Sequence, residues 1–258
     1  MRFVRYKHQG DDPQYGWVNN DLIGPLVGTP IGEYRRLEAY LGLNEVTLCE
    51  PILPSKIICV GKNYEKHIKE RDSVIPDYPI LFMKPPSSVI GHNAKIILPP
   101  QSQFVHHEAE LAVIIGKKGR WIKLDQAQKF ILGYTIANDI TARDLQERDN
   151  QWTRAKGFDT FCPLGPWIET DLDVSDLMIS CYVNDELRQM ASTREMIFPV
   201  NQLVTFISSI MTLLPGDVIL TGTPAGVGLI KDGDVVEIKI DGIGSLKNKV
   251  TLDEKIIS

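Results

Sequence analysis

Three acidic side chains stand where a sequence of this texture has least reason to put them. In "FVHHEAELAVIIG", residues 104–116, Glu108 and Glu110 head an apolar run that reads as a buried strand. Residues two apart on a strand face the same side, about 7 Å apart, so the two carboxylates point together. A third acid, Asp139, ends the Ile-rich stretch "ILGYTIANDI", just before a helix opened by Thr141. An E-x-E pair ordinarily marks a solvated strand face, but "LAVIIG" follows at once and implies burial on both faces from Leu111 onward. A buried carboxylate needs a charge partner or stays protonated. Converging acids therefore ask for a cation, and an all-oxygen set without cysteine suits Mg²⁺ or Mn²⁺, with Ca²⁺ a weaker choice, better than Zn²⁺. His106 and His107 are adjacent and point to opposite sides, so neither is a leading ligand.

A second pairing lies in "GKNYEKHIKE", where His67 and Glu70 are three residues apart and share one helix face. A carboxylate accepting a hydrogen bond from one imidazole nitrogen raises the basicity of the other, which suits a general base or the activation of a water. The pair follows the strand-like "IICVG", and strand ends are common places for site residues. In "RAKGFDTFCPLGPW", Lys156 sits in a loop without helical period; near a metal it would hold a substrate carboxylate or enolate. "LLPGDVILTGTPAGVG", residues 213–228, gives a turn at Pro215 and Gly216, a buried strand, and close-spaced turn residues. No Gly-Lys-Ser/Thr follows, so it is not a P-loop; its amides and Thr223 suit an anionic ligand instead.

The elements that must position these groups are mostly strands. Residues 1–52 read as a small leading module of brief strands in "RFVRYKH" and "YGWVNNDLIGPLVG", then an amphipathic helix in "IGEYRRLEAYLGL", closed by Pro51 and Pro54. From 53 to 258 the texture is short Ile- and Val-rich runs bounded by Gly, Pro, Asn or Asp: "KIICVG", "PILFMK", "AKIILP", "ELAVIIG", "ILGYTIANDI", "LMISCYVNDEL", "DVILTG", "DVVEIKIDG" and "GSLKNKVTL". Helices are few, near 63–71, 124–130, 141–149 and 198–214. Strands without regular helix alternation give an α+β, sheet-rich class and favour a rolled or sandwiched mixed sheet over a doubly wound one.

At 258 residues with 43% apolar content the chain can bury a core by itself. A net charge of −5 with scattered basic residues argues against nucleic acid or an anionic membrane and leaves a small molecule as the partner. No apolar run approaches the roughly 20 residues that span a bilayer, and the start lacks a cleavable leader pattern. The expectation is a cytoplasmic protein. Cys49, Cys59, Cys162 and Cys181 lie far apart with no C-x-x-C, so buried, reduced thiols are expected.

Taken in order, "GKNYEKHIKE", "PILFMKPPSSVIGHNAKIILP", "HHEAELAVIIGK", "GYTIANDITARDLQ", "KGFDTFCPLGPW" and "PGDVILTGTPAGVG" resemble the fumarylacetoacetate hydrolase family over residues 54 to 252. The resemblance implies that family's mixed β-roll, a homodimer, and a small N-terminal module in front. It implies that Glu108, Glu110 and Asp139 form a divalent-metal triad and that His67 and Glu70 form a catalytic dyad on a short lid helix. By the same resemblance Lys156 meets the substrate oxyanion, while Arg143, Gln146 and Thr223 contact the substrate carboxylate or line the pocket. The fourth acidic ligand of true fumarylacetoacetases has no aligned counterpart, which directs the reading to the smaller acylpyruvase, decarboxylase and isomerase branch.

The chemistry of the residues agrees. A 2-oxo or diketo acid chelates a divalent cation through its carboxylate and keto oxygens, and the cation stabilises the enolate left when the adjacent C–C bond breaks. With water activated by His67 and Glu70, an acylpyruvate is hydrolysed; this is the leading expectation. Without water, the same enolate serves oxaloacetate decarboxylation or a 2-hydroxyhepta-2,4-diene-1,7-dioate isomerase. A non-catalytic module binding a dicarboxylate is the alternative of another class, but pure binding gives no reason for a positioned base.

Overall fold

The computed structural model describes residues 1–70 and 72–253. A long curled sheet runs through the strands Tyr34–Arg36, Leu22–Gly28, Gln14–Asn19, Arg2–Lys7, Cys162–Glu169, Ile131–Asn138, Ala109–Ile115, Val218–Leu220, Ile57–Gly61 and Ile80–Lys84, in that spatial order. Most pairs are antiparallel; Val218–Leu220 against Ile57–Gly61 is parallel. A second sheet, Lys95–Leu98, Gly244–Leu252, Val235–Ile240, Met178–Val183 and Glu186–Ser192, lies across it. This is the sheet-rich class expected from the strand pattern, curled as the family resemblance implies.

The Ala109–Ile115 strand shows why the pattern folds this way. Leu111, Val113 and Ile115 pack into the core between the sheets with Ile179, Val236 and Ile238, while Ala112 and Ile114 pack on the opposite face with Phe3, Ile57 and Leu220. Each fully buried aliphatic side chain contributes about 1.5–3 kcal/mol, so burial on both faces fixes this strand centrally. Glu110 falls on the Ala112 and Ile114 side by the two-residue period. The apolar face of helix α4, Val200–Ile210, covers the inter-sheet core through Leu203, Val204 and Ile207.

The leading segment joins the same sheet. Arg2 pairs with Glu169 and Phe3 with Ile168 in backbone register, and Arg2 Nε donates to Glu169 Oε2 at 3.0 Å. "IGEYRRLEAYLGL" is not a helix: Tyr34–Arg36 and Leu41–Gly42 are strands paired with Leu22–Gly28, and Leu43–Glu45 is a single 3-10 turn. Its apolar residues Leu37 and Tyr40 are exposed, so no core wall meets a helical face. Their amides bond instead to Pro25 and Ile23 carbonyls at 3.0 and 3.1 Å. Gly28, at φ +98°, permits the reversal, since a Cβ there would lie 2.1 Å from the Glu33 carbonyl oxygen.

Two further elements differ from expectation, while the helix read near 124–130 is present. "LMISCYVNDEL" is a hairpin, Met178–Val183 and Glu186–Ser192, turned at Asn184 and Asp185 with φ of 52° and 65°, the conformation two-residue hairpin turns require. Residues Leu124–Phe130 wind as a 3-10 helix. Thr141 and Ala142 form a short strand, and helix α2 begins only at Arg143 and runs to Arg148. Helix α1, Glu65–Glu70, lies where a helix near 63–71 was read; Arg71 is outside the described residues. Cys59, Cys162 and Cys181 are buried and Cys49 half-buried, all free thiols, with burial pushing Cys162 up to about 12. Among the described residues no helix is long and apolar enough to cross a membrane.

Candidate active site

Strand register assembles the acids. Ala109 stands opposite Asn138, so Glu108 and Asp139 meet just beyond the paired ends of two central strands. The Asp139 amide donates to the Glu108 carbonyl at 2.9 Å, and the Glu108 amide donates to Asn138 Oδ1 at 2.9 Å. Glu108, Glu110 and Asp139 are buried, and carboxylate oxygens of the three lie within 4.8 Å of one another.

Cations surround two of these acids. Arg143, the first residue of α2, donates from Nη2 to Glu108 Oε1, and Lys156 Nζ lies 3.0 Å from Glu108 Oε2 and 2.5 Å from Asp139 Oδ2. Lys156 closes the one-turn helix α3, Thr153–Lys156, where a loop was expected. Lys84, at the end of the edge strand, donates to Asp139 Oδ1 at 2.6 Å and to the Ile140 carbonyl at 3.1 Å. Burial disfavours ionised Glu108, yet Arg143 and Lys156 outweigh it and hold this carboxyl well below the usual range. Burial also works against the Lys156 ammonium, but Asp139 and Glu108 keep its pKa raised. Glu110 has no such cation among the described residues; its Oε2 accepts from the Gly222 amide at 2.6 Å. Burial, then the charges of Asp139 and Glu108, push its pKa well above normal.

A hard divalent cation fits this donor set. Three buried carboxylates converge, all ligand atoms are oxygen, and Glu110 is a neutral acid that regains its charge when a cation arrives.

The remaining expected residues gather around the acids. His67, Arg143, Gln146, Lys156 and Thr223 line one cavity of about 220 Å³ together with the three carboxylates. Glu70 does not line it. His67 Nδ1 is buried 3.4 Å from Glu70 Oε2, a close pairing that falls outside hydrogen-bond geometry. Glu70 instead accepts from the Gly226 amide at 3.2 Å. Burial lowers the His67 pKa, against the opposing pull of Glu108, and keeps the imidazole neutral at pH 7. Gln146 Oε1 accepts from Arg143 Nη1 at 2.7 Å, and Thr223 Oγ1 accepts from Gln189 Nε2 at 2.8 Å. His107 is turned away from the acids toward Gln189, with burial pushing its pKa down to about 4.

Sequence reasoning missed Lys84, Gln189 and the aromatic wall of Phe82 and Trp152, whose rings meet edge-on at 5.2 Å beside Lys156. Lys84 had a visible signal, as the one charge in "PILFMK"; Gln189 had none. Lys84 is fully buried between Asp139 and a carbonyl. Removing one partner of a buried pair costs about 3–5 kcal/mol. The expected result for Lys84→Met is a loss of that size in urea unfolding of the metal-free protein; a midpoint equal to wild type would contradict this role.

Comparison with known proteins places this architecture. The mitochondrial oxaloacetate tautomerase of Homo sapiens is 46% identical over 220 residues, covering 80% of this chain and 70% of that one. A structure of 5-carboxymethyl-2-hydroxymuconate delta-isomerase from Mycobacterium smegmatis superposes with a TM-score of 0.92 at 45% identity, over 98% of this chain and 100% of that one. Maleylpyruvate hydrolase from Sphingobium sp. SYK-6, in complex with manganese(II) and pyruvate, gives 0.81 at 31% identity, over 98% and 99%. Residues 1–51 match a family model described as Rv2993c-like, N-terminal. Residues 56–251 match the model described as fumarylacetoacetate (FAA) hydrolase, C-terminal, and the chain therefore belongs to that family of small-molecule enzymes.

Proposed function

We propose that this protein enolises short 2-oxo acids, interconverting the keto and enol forms of an oxaloacetate-like dicarboxylate. The observation that carries this reading is His67, a neutral imidazole that lines the same cavity as the three acids. A base of that kind is suited to take a proton at neutral pH. Glu108, Glu110 and Asp139 would hold Mg²⁺ or Mn²⁺, which supplies a Lewis acid for the substrate's carboxylate and keto oxygens.

The chain's own groups do the rest. His67 removes a proton from the carbon next to the keto group, and Lys156 donates a hydrogen bond to the oxygen on which charge collects. Arg143 and Gln146, already bonded to each other, hold the far carboxylate, and Thr223 lines the pocket beside it. Return of the proton to oxygen or to carbon gives one tautomer or the other. The cavity, about 220 Å³, lies below the roughly 300 Å³ of drug-sized sites, which favours a short acid. Relatives at 45–46% identity named as tautomerase and isomerase support proton transfer over bond cleavage.

Hydrolysis of acylpyruvates is the second reading, favoured by the closeness of His67 and Glu70 and by the manganese and pyruvate of the hydrolase relative. There, water activated by His67 adds to the distal carbonyl, the C–C bond breaks, and pyruvate leaves as its enolate to be protonated. The proposal takes the protein as a cytoplasmic homodimer acting on a free metabolite; sedimentation equilibrium reads the dimer.

The test is turnover of enol-oxaloacetate, acetylpyruvate and fumarylpyruvate side by side, with Mg²⁺ and then with a chelator. Metal-dependent ketonisation of oxaloacetate as the fastest reaction supports the first reading. Faster acylpyruvate cleavage selects the second, release of CO₂ makes the protein a decarboxylase, and tight binding without turnover overturns both.

A further inference from the structure

Gln189 lies on the Glu186–Ser192 strand of the second sheet, outside the strands that carry the acids, and is 1% exposed. Its single carboxamide makes four hydrogen bonds. Oε1 accepts from the Ala109 amide at 3.0 Å and faces His107 Nδ1 at 3.0 Å; Nε2 donates to Thr223 Oγ1 and to the Pro224 carbonyl, both at 2.8 Å. The partners fix its orientation, because a backbone amide only donates and a carbonyl only accepts. One end thus grips the residue between Glu108 and Glu110, and the other grips the loop that follows the Val218–Leu220 strand.

That loop is where the site's separate parts are tied. Its Gly222 amide bonds Glu110, Thr223 lines the cavity, and its Gly226 amide bonds Glu70 on the helix that carries His67. Gly226, at φ +93°, lies so close to the hairpin that a Cβ would sit 2.1 Å from the Arg188 carbonyl oxygen. The loop therefore rests on the backbone beside Gln189, and Gln189 is the side chain that holds its Thr223 and Pro224.

We propose that Gln189 is a positioning residue that sets Thr223 and its loop against the acid-bearing strand and thereby determines affinity for the 2-oxo acid. The proposal rests on the functional reading above for Thr223 as a substrate-facing group. Gln189→Glu separates the two ends: it keeps the acceptor for Ala109 and His107 but leaves at most one O–H where the amide had two N–H donors, so Thr223 and the Pro224 carbonyl can no longer both be held.

The experiment compares wild type, Gln189→Glu, Thr223→Val and the double variant by calorimetric titration with pyruvate in Mn²⁺, titration with Mn²⁺ alone, steady-state kinetics, and hydrogen exchange of the Gly222 and Gly226 amides. The expected result for Gln189→Glu is pyruvate affinity about tenfold weaker, KM raised in step with kcat within about threefold, and Mn²⁺ affinity within about twofold; the change should vanish in the Thr223→Val background, as coupled neighbours require. Unchanged pyruvate affinity, a parallel fall in Mn²⁺ affinity, or additive effects of the two substitutions would overturn it. If Gln189→Glu does not fold, Gln189→Met is read in the same way, and failure of both to fold overturns it in favour of a purely structural role. Should wild type bind no pyruvate, the functional reading fails; faster exchange at Gly222 and Gly226 would still uphold the positioning role, and unchanged exchange would overturn it.

Discussion

Glu110→Gln should lose divalent-cation binding, and with it turnover by a factor above about 10³, yet the metal-free variant near pH 5 should melt where wild type does. Loss of a Lewis acid worth several kcal/mol accounts for the factor, at tenfold per 1.36 kcal/mol. The preserved melting follows from protonation. Burial and the neighbouring Asp139 and Glu108 raise the Glu110 pKa well above its ordinary 4.5, so the acid is neutral there and glutamine is its near-isostere, with the Gly222 contact still available to an amide oxygen. The sign with pH follows from the raised value. Stability from a group whose folded pKa is raised is full below the ordinary value and is lost as pH rises through the folded one. Metal-free wild type should therefore fall behind the variant in thermal stability as pH increases. Glu108, shifted the other way, contributes stability that is lost on acidification, but it is present in both proteins and cancels in the comparison. Cation affinity of wild type should also rise with pH, because binding expels the Glu110 proton. Melting curves over a pH series, with and without Mg²⁺, check all of this; a variant that still binds Mg²⁺ with wild-type affinity would remove Glu110 from the cation site.

His67→Ala should lower kcat by about 10²–10⁴, the usual contribution of a general base, with Mn²⁺ affinity within about twofold, since His67 is no part of the carboxylate set. Burial depresses the His67 pKa below 6.5. A base works only when deprotonated, so the wild-type rate should rise with pH through an apparent value under 6.5 and stay level above it. The variant should lose that acid limb. Glu70→Gln should cost less than about tenfold, because at 3.4 Å the imidazole and carboxylate do not form a hydrogen bond. Equal losses in Glu70→Gln and His67→Ala would mean that the two act as one unit in the working enzyme. An unchanged kcat in His67→Ala would exclude it as the base.

The acids were legible because two independent signals coincide in few residues: the period of a strand, and charges where that period calls for apolar side chains. Glu108, Glu110 and Asp139 are all found buried at strand ends for this reason. What one stretch of sequence hides is what meets it from elsewhere. Gln189 is an ordinary polar residue in a hairpin until the second sheet sets it against Ala109, 80 residues away, and Lys84 gains its meaning only from Asp139, 55 residues on. Tyr34, Leu37 and Tyr40 have helical spacing, but a helix needs an apolar wall to face, and in the fold the backbone of the Leu22–Gly28 strand offers hydrogen bonds instead. Asn184 and Asp185 are a turn signal legible in the sequence, since both tolerate the positive φ that the two-residue hairpin turn requires. The distance between His67 and Glu70 is set by the helix, whereas the choice of Gly226 as the carboxylate's partner is set by a loop more than 150 residues away.

In the proposed function the cation and the 2-oxo acid meet at the three carboxylates. Paramagnetic relaxation of ¹³C-labelled pyruvate by protein-bound Mn²⁺ tests it most directly. The expected result is one Mn²⁺ per chain, strong relaxation of both the carboxyl and keto carbons consistent with direct contact, and loss of both effects in Glu110→Gln. Pyruvate that binds the Mn²⁺-loaded protein without relaxation of either carbon would contradict it.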